Sequence, residues 1–534
     1  MKGADIFVKT LEDNGVKYIF GVPGDIELSL FESLSYSDID FFTVRHEQTG
    51  AFMADVYGRL TGKPGVCFST LGPGAANLVT GVANAYLDRS PMIAISGQLK
   101  VDEFHKNAHQ YLDLEKIFKP ITKQSTVIYS AKQIPSILNK SFEIAKTERP
   151  GPIHITLPIN ILDEDIPNSN YESYNQQNNL AQTQTYEYDI DSVCEAIKKS
   201  AFPIIIAGNA VIRQEASEEL INFIDKFQIL AFSTFQGKGA IPANHRLYLG
   251  VISRHLKNVQ KTFESADLIL NIGYDYVEGI KPDIWETGIK KRVISIDTIS
   301  NTVDRFYRPD IEIVSNLKQY LREFYKNCNC PPKSYNINKN ELKSTIEVPR
   351  DADSCFPLKP HKVIAEIRNV LDVHDVIVSD VGRHKQFVGL LFKAYHPKTV
   401  LFSNGLSSMG FGLPAAIAAK LVNPDRKVVA VCGDGGFMMN VQDLETAVRY
   451  KLPITIVIIN DSAYGMVKYA QLNKFGKTYG ADFGNPDFKK LAESFGAKGF
   501  DVKSTSDLRS TLEEAVYSGK VSVVNVPIDY SEGL

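Results

Sequence analysis

Two apolar runs and the turn after each decide the fold in "KVVAVCGDGGFMMNVQDLETAVRYKLPITIVIIND", residues 427–461. Both runs are continuous rather than alternating, which is typical of parallel strands buried on both faces. The stretch between them has apolar residues at helical spacing: Val441, Leu444, Ala447 and Val448. This pattern predicts a right-handed βαβ unit in which Asp434 and Asp461 follow the two strands at the same edge of the sheet.

Two carboxylates at one edge repel each other unless a cation lies between them. Mg²⁺ takes carboxylate oxygens and phosphates as ligands, so the pair predicts a magnesium site facing a diphosphate. The glycines around Asp434 would let backbone N–H groups approach that anion. Asn440 and Asp443 have the spacing of a helix N-cap and its box partner. The alternative is an ordinary βα turn followed by a helix cap, but the interval between the two acids favours the metal.

Similar apolar runs alternate with helical stretches along the whole chain, which indicates α/β domains built on parallel sheets. Two polar segments, at residues 168–189 and 327–345, interrupt the alternation. We therefore expect three doubly wound α/β domains, at residues 1–167, 187–326 and 357–534. The first 20 residues are expected to form an amphipathic helix.

The totals exclude several classes of partner. The 534 residues carry a formal charge of −3, which gives no field to recruit nucleic acid or anionic lipid. No apolar run approaches the roughly 20 residues of a membrane span. We expect a cytoplasmic protein that acts on a small molecule, with its six cysteines as reduced thiols rather than a metal site.

The spacing of Gly-Asp-Gly and Asn-Asp resembles the cofactor motif of the thiamine-diphosphate enzymes. This resemblance implies that Mg²⁺ is held by Asp434, Asp461 and the backbone carbonyl of Ala463. It also implies a catalytic glutamate in the first domain, which matches Glu47 of "TVRHEQTGAFMADVYGR". In the family this glutamate hydrogen-bonds the aminopyrimidine ring of the cofactor. A glutamate at a helix start is otherwise most often a partner of the helix dipole.

The same resemblance assigns further cofactor contacts. "NGLSSMGFGLPAA" places Met409 as the apolar wedge that bends the cofactor, with Ser407 beside it, although Met in an apolar loop is usually core filler. The remaining cofactor-binding positions follow from the family motifs: Gly382, Arg383, His384, Gly433, Gly435, Gly436 and Met466. The three domains then correspond to the pyrimidine-binding, central Rossmann-like and diphosphate-binding domains of these enzymes.

The resemblance extends over nearly the whole chain and is closest to the acetolactate synthases of the catabolic type. It implies decarboxylation of pyruvate and ligation of the hydroxyethyl carbanion/enamine to a second pyruvate, which gives 2-acetolactate and CO₂. Gln110 of "AHQYLD" matches the family glutamine beside the reacting carbonyl, and the backbone N–H of Gly24 would share oxyanion stabilisation. The role of His109 stays open between a proton shuttle and a structural histidine.

Two further expectations concern a second cofactor and the assembly. Biosynthetic relatives carry an Arg-containing flavin-contact segment where this chain has Gly273–Tyr276, so we expect no FAD. A lone Gly-rich turn at Gly208 is weak evidence for a phosphate site. Because the family completes each site with a second subunit, a homodimer or homotetramer is expected.

Three other functions compete with this interpretation. The first is a simple 2-oxo-acid decarboxylase that releases an aldehyde, which the absence of a His-His pair near residue 109 disfavours. The second is a catalytically silent paralogue, which the joint presence of Glu47, Asp434 and Asp461 disfavours. The third is an NAD-dependent dehydrogenase, for which no Gly-x-Gly-x-x-Gly fingerprint with a following acid is found.

Overall fold

Three parallel six-stranded sheets with flanking helices make up the described protein, and this confirms the predicted α/β class. The computed structural model describes residues 1–167, 189–253, 256–279, 288–301, 307–335, 341–343 and 354–531. The predicted linker at 168–189 lies, except for Asp189, outside these residues.

The first sheet has the strand order β2-β1-β3-β4-β6-β5. Its strands are β1 (Tyr18–Gly21), β2 (Asp40–Thr43), β3 (Gly65–Ser69), β4 (Met92–Gln98), β5 (Gln124–Val127) and β6 (Pro152–Pro158). The helices of this part are α1 (Gly3–Asp13), α2 (Leu28–Leu34), α3 (Glu47–Thr61), α4 (Pro73–Leu87), α5 (Leu114–Phe118), α6 (Ile134–Lys146) and α7 (Ile159–Leu162). The chain leaves β1 toward β2 and returns on the other side to β3. The crevice at the carboxyl ends of β1 and β3 is therefore the topological switch point, where ligands of such sheets bind.

The second sheet has the order β12-β11-β10-β7-β8-β9. Its strands are β7 (Pro203–Ala207), β8 (Leu230–Ser233), β9 (Tyr248–Val251), β10 (Leu268–Ile272), β11 (Arg292–Asp297) and β12 (Ile311–Val314). Its helices are α8 (Ile190–Lys199), α9 (Asn209–Arg213), α10 (Ser217–Phe227), α11 (Lys257–Ser265) and α12 (Leu317–Asn327). Strand β7 is buried on both faces, as the apolar run predicted, because its successive residues Ile204, Ile205 and Ile206 are all buried.

The third sheet has the order β14-β13-β15-β16-β18-β17. Its strands are β13 (Val376–Ser379), β14 (Val400–Phe402), β15 (Val428–Gly433), β16 (Thr455–Asn460), β17 (Lys498–Asp501) and β18 (Ser522–Pro527). The helices of this part are α13 (Pro360–Val370), α14 (Arg383–Leu391), α15 (Gly412–Val422), α16 (Asp434–Met439), α17 (Leu444–Arg449), α18 (Gly465–Phe475), α19 (Phe488–Ser494) and α20 (Asp507–Tyr517). The two apolar runs of the quoted stretch are β15 and β16, and they pair directly in parallel.

The chain packs as two compact units. One holds residues 1–167 together with Leu406–Pro424 and Met439–Leu452. In this unit α15 packs on α3, where the Phe52 and Phe411 rings meet edge to face at 5.6 Å and Arg59 lies over the Phe411 ring. The other unit holds the rest of the described chain, including the second and third sheets.

Two local expectations were wrong. The first 20 residues form a helix only to Asp13, and a turn with a left-handed Gly15 then leads into strand β1. Cys194 and Cys328 are joined by a disulfide, whereas six reduced thiols were expected. The pairing links α8 to the end of α12, 134 residues apart, which spacing along the chain could not indicate. None of the helices in the described ranges has the length and apolar content that a bilayer crossing requires.

Candidate active site

Asp434 and Asp461 follow neighbouring strands at one edge of the third sheet. Gly433, the last residue of β15, is in register with Ile459 near the end of β16. Asp434 begins α16 and is 1 % exposed. Its carboxylate accepts hydrogen bonds from three donors, the backbone N–H groups of Gly435 (2.8 Å) and Ser462 (2.7 Å) and the side chain of Asn485 (2.8 Å). Three hydrogen bonds therefore fix the Asp434 carboxylate at this edge, and the Asp461 carboxylate lies near it.

The two carboxylates destabilise each other's charged form. Burial, together with the neighbouring negative charge of Asp434, raises the pKa of Asp461 to about 7. Burial also raises the pKa of Asp434. Both oxygen donor groups would keep their charge if a hard cation bound between them, so this donor set fits Mg²⁺.

The third predicted ligand lies next to the pair. Ala463 is 4 % exposed, and its backbone forms an isolated bridge with Asp482. Across the described ranges, no group of three or more His, Cys, Asp or Glu side chains is arranged to hold a metal. The predicted site differs from such a group because it uses two carboxylates and one carbonyl.

The glycines of the Gly-Asp-Gly-Gly segment are required by close packing. An added Cβ on Gly435 would come within 2.9 Å of the Tyr464 ring, and one on Gly436 within 2.7 Å of Asp380 Oδ2. Both glycines lie in α16 rather than in an open turn. The backbone N–H of Gly435 donates to the Asp434 carboxylate, so one role of this segment is to position that carboxylate.

Asn440 stands at the N-cap position of the short helical turn Val441–Asp443, but the expected capping hydrogen bonds of Asn440 and Asp443 do not form. The Asn440 side chain donates instead to the backbone carbonyl of Gly410. The Asp443 carboxylate accepts from the Arg45 backbone N–H (2.8 Å) and from the hydroxyl groups of Thr49 (2.6 Å) and Thr446 (2.8 Å). Asn440 has thus been taken by a distant partner, while Asp443 combines two distant partners with the hydroxyl of the nearby Thr446.

The Gly382–His384 segment begins α14 at the same edge of the third sheet. The Arg383 guanidinium lies over the Tyr469 and Tyr530 rings, with its carbon 4.8 and 4.5 Å from the ring centroids. It also lines, with Asp461, a cavity of about 660 Å³. His384 is buried, and its ring fills the space next to Gly382 and Gly433. Burial lowers the pKa of His384 to about 4, so the ring is neutral near pH 7.

The remaining predicted cofactor contacts are more accessible. Met466 lies in the first turn of α18 and is 45 % exposed. Met409 is half-buried, and Ser407 is exposed with a left-handed backbone at φ 54°. Met409 and Ser407 belong to the unit that contains Glu47, while Met466 belongs to the unit that contains the third sheet.

Glu47 is the first residue of α3, after strand β2, and is 8 % exposed. Its Oε2 accepts a hydrogen bond from the Asn77 side chain at 2.9 Å. Its Oε1 lies 3.1 Å from the position where a Cβ on Gly74 would stand. Asn77 thus fixes one oxygen of a buried carboxylate, and the other oxygen stands against Gly74.

Gly24 and Gln110 lie near the carboxyl ends of β1 and β3. Gly24 follows β1, and a Cβ there would overlap the side chains of Glu27 and Thr70. Gln110 is exposed and has a left-handed backbone at φ 59°. Its carbonyl lies against Gly72, at the start of α4, where an added Cβ would come within 2.8 Å. The loop that carries Gln110 is therefore packed against the turn that follows β3.

Several residues of these two edges were not anticipated from the sequence. Asn77, Thr70 and Glu27 lie at the first sheet's edge, while at the third sheet's edge Asn485 donates to Asp434 and Asp380 lies against Gly436. Asn485 lies in the turn-forming segment Gly-Asn-Pro, which signals a loop but no partner. Glu27 stands at the position before α2, where an acid is common, so the sequence carried no signal of its burial.

Comparison with known proteins agrees with this organisation. Family models match in three consecutive segments: the N-terminal TPP binding domain of thiamine pyrophosphate enzymes at residues 1–117, their central domain at 190–324 and their C-terminal TPP binding domain at 380–526. Thiamine pyrophosphate is thiamine diphosphate. The matched segments cover most of the chain.

Curated relatives align over the full length of the chain. A "Probable acetolactate synthase large subunit" of Methanococcus aeolicus is 35 % identical over 100 % of this chain and 93 % of the relative. An "Acetolactate synthase" of Bacillus subtilis is 33 % identical over 100 % and 94 %. An "Acetolactate synthase, catabolic" of Raoultella terrigena is 33 % identical over 99 % and 95 %. These matches, with the three family models and the three sheets, show that the chain belongs to the thiamine-diphosphate-dependent enzymes.

Proposed function

We propose that this enzyme is an acetolactate synthase that decarboxylates pyruvate and joins the two-carbon remainder to a second pyruvate. The observation that carries the proposal is the full-length similarity to proteins named acetolactate synthase. The carboxylate pair beside a neutral His384 and the buried Glu47 provide the groups that this chemistry needs.

The bound cofactor supplies the electron sink that decarboxylation of a 2-oxo acid requires. We assign Mg²⁺ to Asp434, Asp461 and the Ala463 carbonyl, because the two acids need a cation to remain charged together. Gly382, Arg383 and His384 with the glycines at 433, 435 and 436 would surround the diphosphate. Met409 and Ser407 would contact the rings, and Met466 would lie beside the substrate.

Glu47 would hold a proton between its Oε1 and a ring nitrogen of the cofactor. The hydrogen bond from Asn77 to Oε2 keeps the carboxylate in one orientation for this contact. The Gln110 side chain and the Gly24 backbone N–H would orient the reacting carbonyl, since both lie near the turn after β3. Their task is to fix the acceptor and to stabilise charge on its oxygen.

The middle domain supports a synthase without FAD. The Gly-rich turn at Gly208 is the place where a flavin phosphate could bind. The Glu278 carboxylate already occupies it. This carboxylate accepts hydrogen bonds from the backbone N–H groups of Asn209 and Asp275 and from the Thr234 hydroxyl. A Cβ on Gly208 would also overlap the Gly273 backbone. Close packing therefore accounts for this glycine, and the position for an anion is occupied.

The test is a product assay with pyruvate, thiamine diphosphate and Mg²⁺. We expect 2-acetolactate and CO₂, with little acetaldehyde, and a repeat with 2-oxobutyrate defines the acceptor range. Acetaldehyde without acetolactate would overturn the proposal in favour of the decarboxylase. Assembly as a homodimer or homotetramer and a cytoplasmic location stay predictions, which sedimentation and fractionation can test.

A further inference from the structure

A buried carboxyl group lies under the crevice at the switch point of the first sheet. Glu27 follows β1 and is fully buried. Its Oε1 accepts a hydrogen bond from the Thr70 hydroxyl, 2.9 Å away, and Thr70 follows β3. This contact spans the carboxyl ends of β1 and β3, where the topology places the ligand. Glu27 therefore lies at the sheet edge where a ligand is expected.

The backbone around Glu27 leaves room for the carboxyl group. A Cβ on Gly97, at the end of β4, would overlap Glu27 Oε1, and a Cβ on Gly24 would overlap Oε2. Among the described residues, no hydrogen-bond partner reaches Oε2. Burying an unpartnered charged oxygen is costly, whereas a protonated carboxyl avoids most of that cost.

The charged surroundings of Glu27 also favour its protonated form. The pKa of Glu27 is raised to about 7, mainly by burial and to a smaller extent by the charge of Asp25, while hydrogen bonds from the Thr70 hydroxyl and the Glu27 backbone oppose the rise. The strands packed against the carboxyl group contribute the Thr70 hydroxyl and the Gly97 backbone, neither of which is charged. Near neutral pH the group can therefore both hold and release a proton.

Thr70 connects this buried group to the side of the crevice that holds Glu47. The Thr70 methyl carbon and Glu47 Oε1 both lie within 3.2 Å of one point, the Cβ position of Gly74. Thr70 is partly exposed, while Glu27 behind it is not. A hydroxyl group donates and accepts, so a proton can pass between Thr70 and Glu27 in either direction along the 2.9 Å hydrogen bond.

We propose that Thr70 and Glu27 form a proton relay that serves the carbonyl oxygen of the 2-oxo-acid acceptor. The proposal rests on the proposed function, because joining two pyruvate anions with loss of CO₂ consumes one proton. As the new C–C bond forms, the carbonyl π electrons move to oxygen, which takes the Thr70 hydroxyl proton. Thr70 takes the proton of Glu27, which is left as a carboxylate. After the product leaves, solvent returns a proton through Thr70.

The first test uses variants of the holoenzyme with thiamine diphosphate and Mg²⁺. Glu27→Gln and Thr70→Val each should lower kcat by about 10²-fold with little change in KM. The double variant should be no slower than the slower single variant, because a relay broken at either residue fails as a unit. Thr70→Ser, which keeps the hydroxyl, should recover most of the rate. If the kcat loss of the double variant equals the product of the two single losses, the residues act independently and the relay is overturned.

Glu32→Gln is the matched control, since Glu32 lies exposed on the adjacent α2. Its kcat should equal that of the parent enzyme. The parent enzyme should lose kcat as pH rises through about 7, because Glu27 then lacks its proton. Glu27→Gln should lack this loss, and retention of the same alkaline limb in that variant would contradict the proposal.

The second test needs neither substrate nor cofactor. An unfolded Glu loses its proton near pH 4.5, whereas folded Glu27 keeps it to about 7, so the protein should become less stable as pH rises between these values. The urea midpoint of the parent protein should fall over this range, and that of Glu27→Gln should fall less. Equal slopes would overturn the assignment of the proton to Glu27.

Product identification separates this proposal from the proposed function. If the parent enzyme releases only aldehyde, the synthase assignment fails and there is no acceptor carbonyl for the relay to serve, while the urea midpoints still test whether Glu27 holds the proton. If acetolactate forms and the variants behave independently, the relay fails alone.

Discussion

The carboxyl edges of the first and third sheets use similar architecture for opposite electrostatic tasks. At the first edge Glu47 and Glu27 each have a neutral hydrogen-bond donor, Asn77 and Thr70. At the third edge Asp434 raises the pKa of its neighbour Asp461. Separated acids with neutral partners can handle protons, whereas adjacent acids require a cation. On our proposal, the same architecture therefore serves as a proton site at the first edge and as a metal site at the third.

The largest effect that would test this contrast is at the first edge. Glu47→Gln should still bind the cofactor but should lower turnover by about 10³-fold, because the amide cannot hold the ring proton. Steady-state kinetics and a cofactor titration measure the two properties. Glu115→Gln, an exposed acid in the first turn of α5, is the control. Unchanged turnover in Glu47→Gln would remove this residue from the mechanism.

At the third edge the loss should appear in metal binding. Asp434→Ala should raise the Mg²⁺ concentration for half-maximal activity by about 10²-fold, because a buried carboxylate ligand is lost. Asp425→Ala, exposed before the start of β15, provides the control. Chelation should abolish activity in the parent enzyme, and added Mg²⁺ should restore it. Full activity after chelation would refute the metal assignment.

Asp443 tests how the segment before Glu47 is held. Asp443→Ala should lower the free energy of unfolding by about 2–3 kcal/mol, because it leaves the Arg45 N–H and the Thr49 hydroxyl without their acceptor. Urea unfolding measures the change, with the more exposed Glu445→Ala as the comparison. A loss below about 0.5 kcal/mol would show that these contacts stabilise little.

The smallest expected effect is on stability at Asp461. It distinguishes the repulsion between Asp461 and Asp434 from the binding of Mg²⁺ by Asp461. In protein freed of cofactor and metal, Asp461→Asn should raise the free energy of unfolding at pH 8 by about 1–2 kcal/mol, since it removes one of two neighbouring buried charges. The same variant should bind Mg²⁺ more weakly. If the metal-free variant is less stable than the parent, the two carboxylates do not oppose each other as described.

The sequence predicted the fold class well because continuous apolar runs are local signals. The quoted runs became β15 and β16, and the Gly-Asp-Gly and Asn-Asp turns came to the same edge as expected. Short strands with mixed composition, such as β5 and β17, gave no comparable signal. Asn440 and Asp443 had the right local spacing for a cap, but distant partners outcompeted it.

The sequence by itself determined three α/β domains and the acids that follow their strands, because strand periodicity and turn residues are encoded within a few neighbouring positions. Only the tertiary structure decided what surrounds those acids. Asn77 lies 30 residues from Glu47, and Asn485 lies 51 residues from Asp434. Whether a carboxyl group such as Glu27 is a surface charge or a buried acid depends on burial and on such partners, and both arise when distant strands meet at one sheet edge.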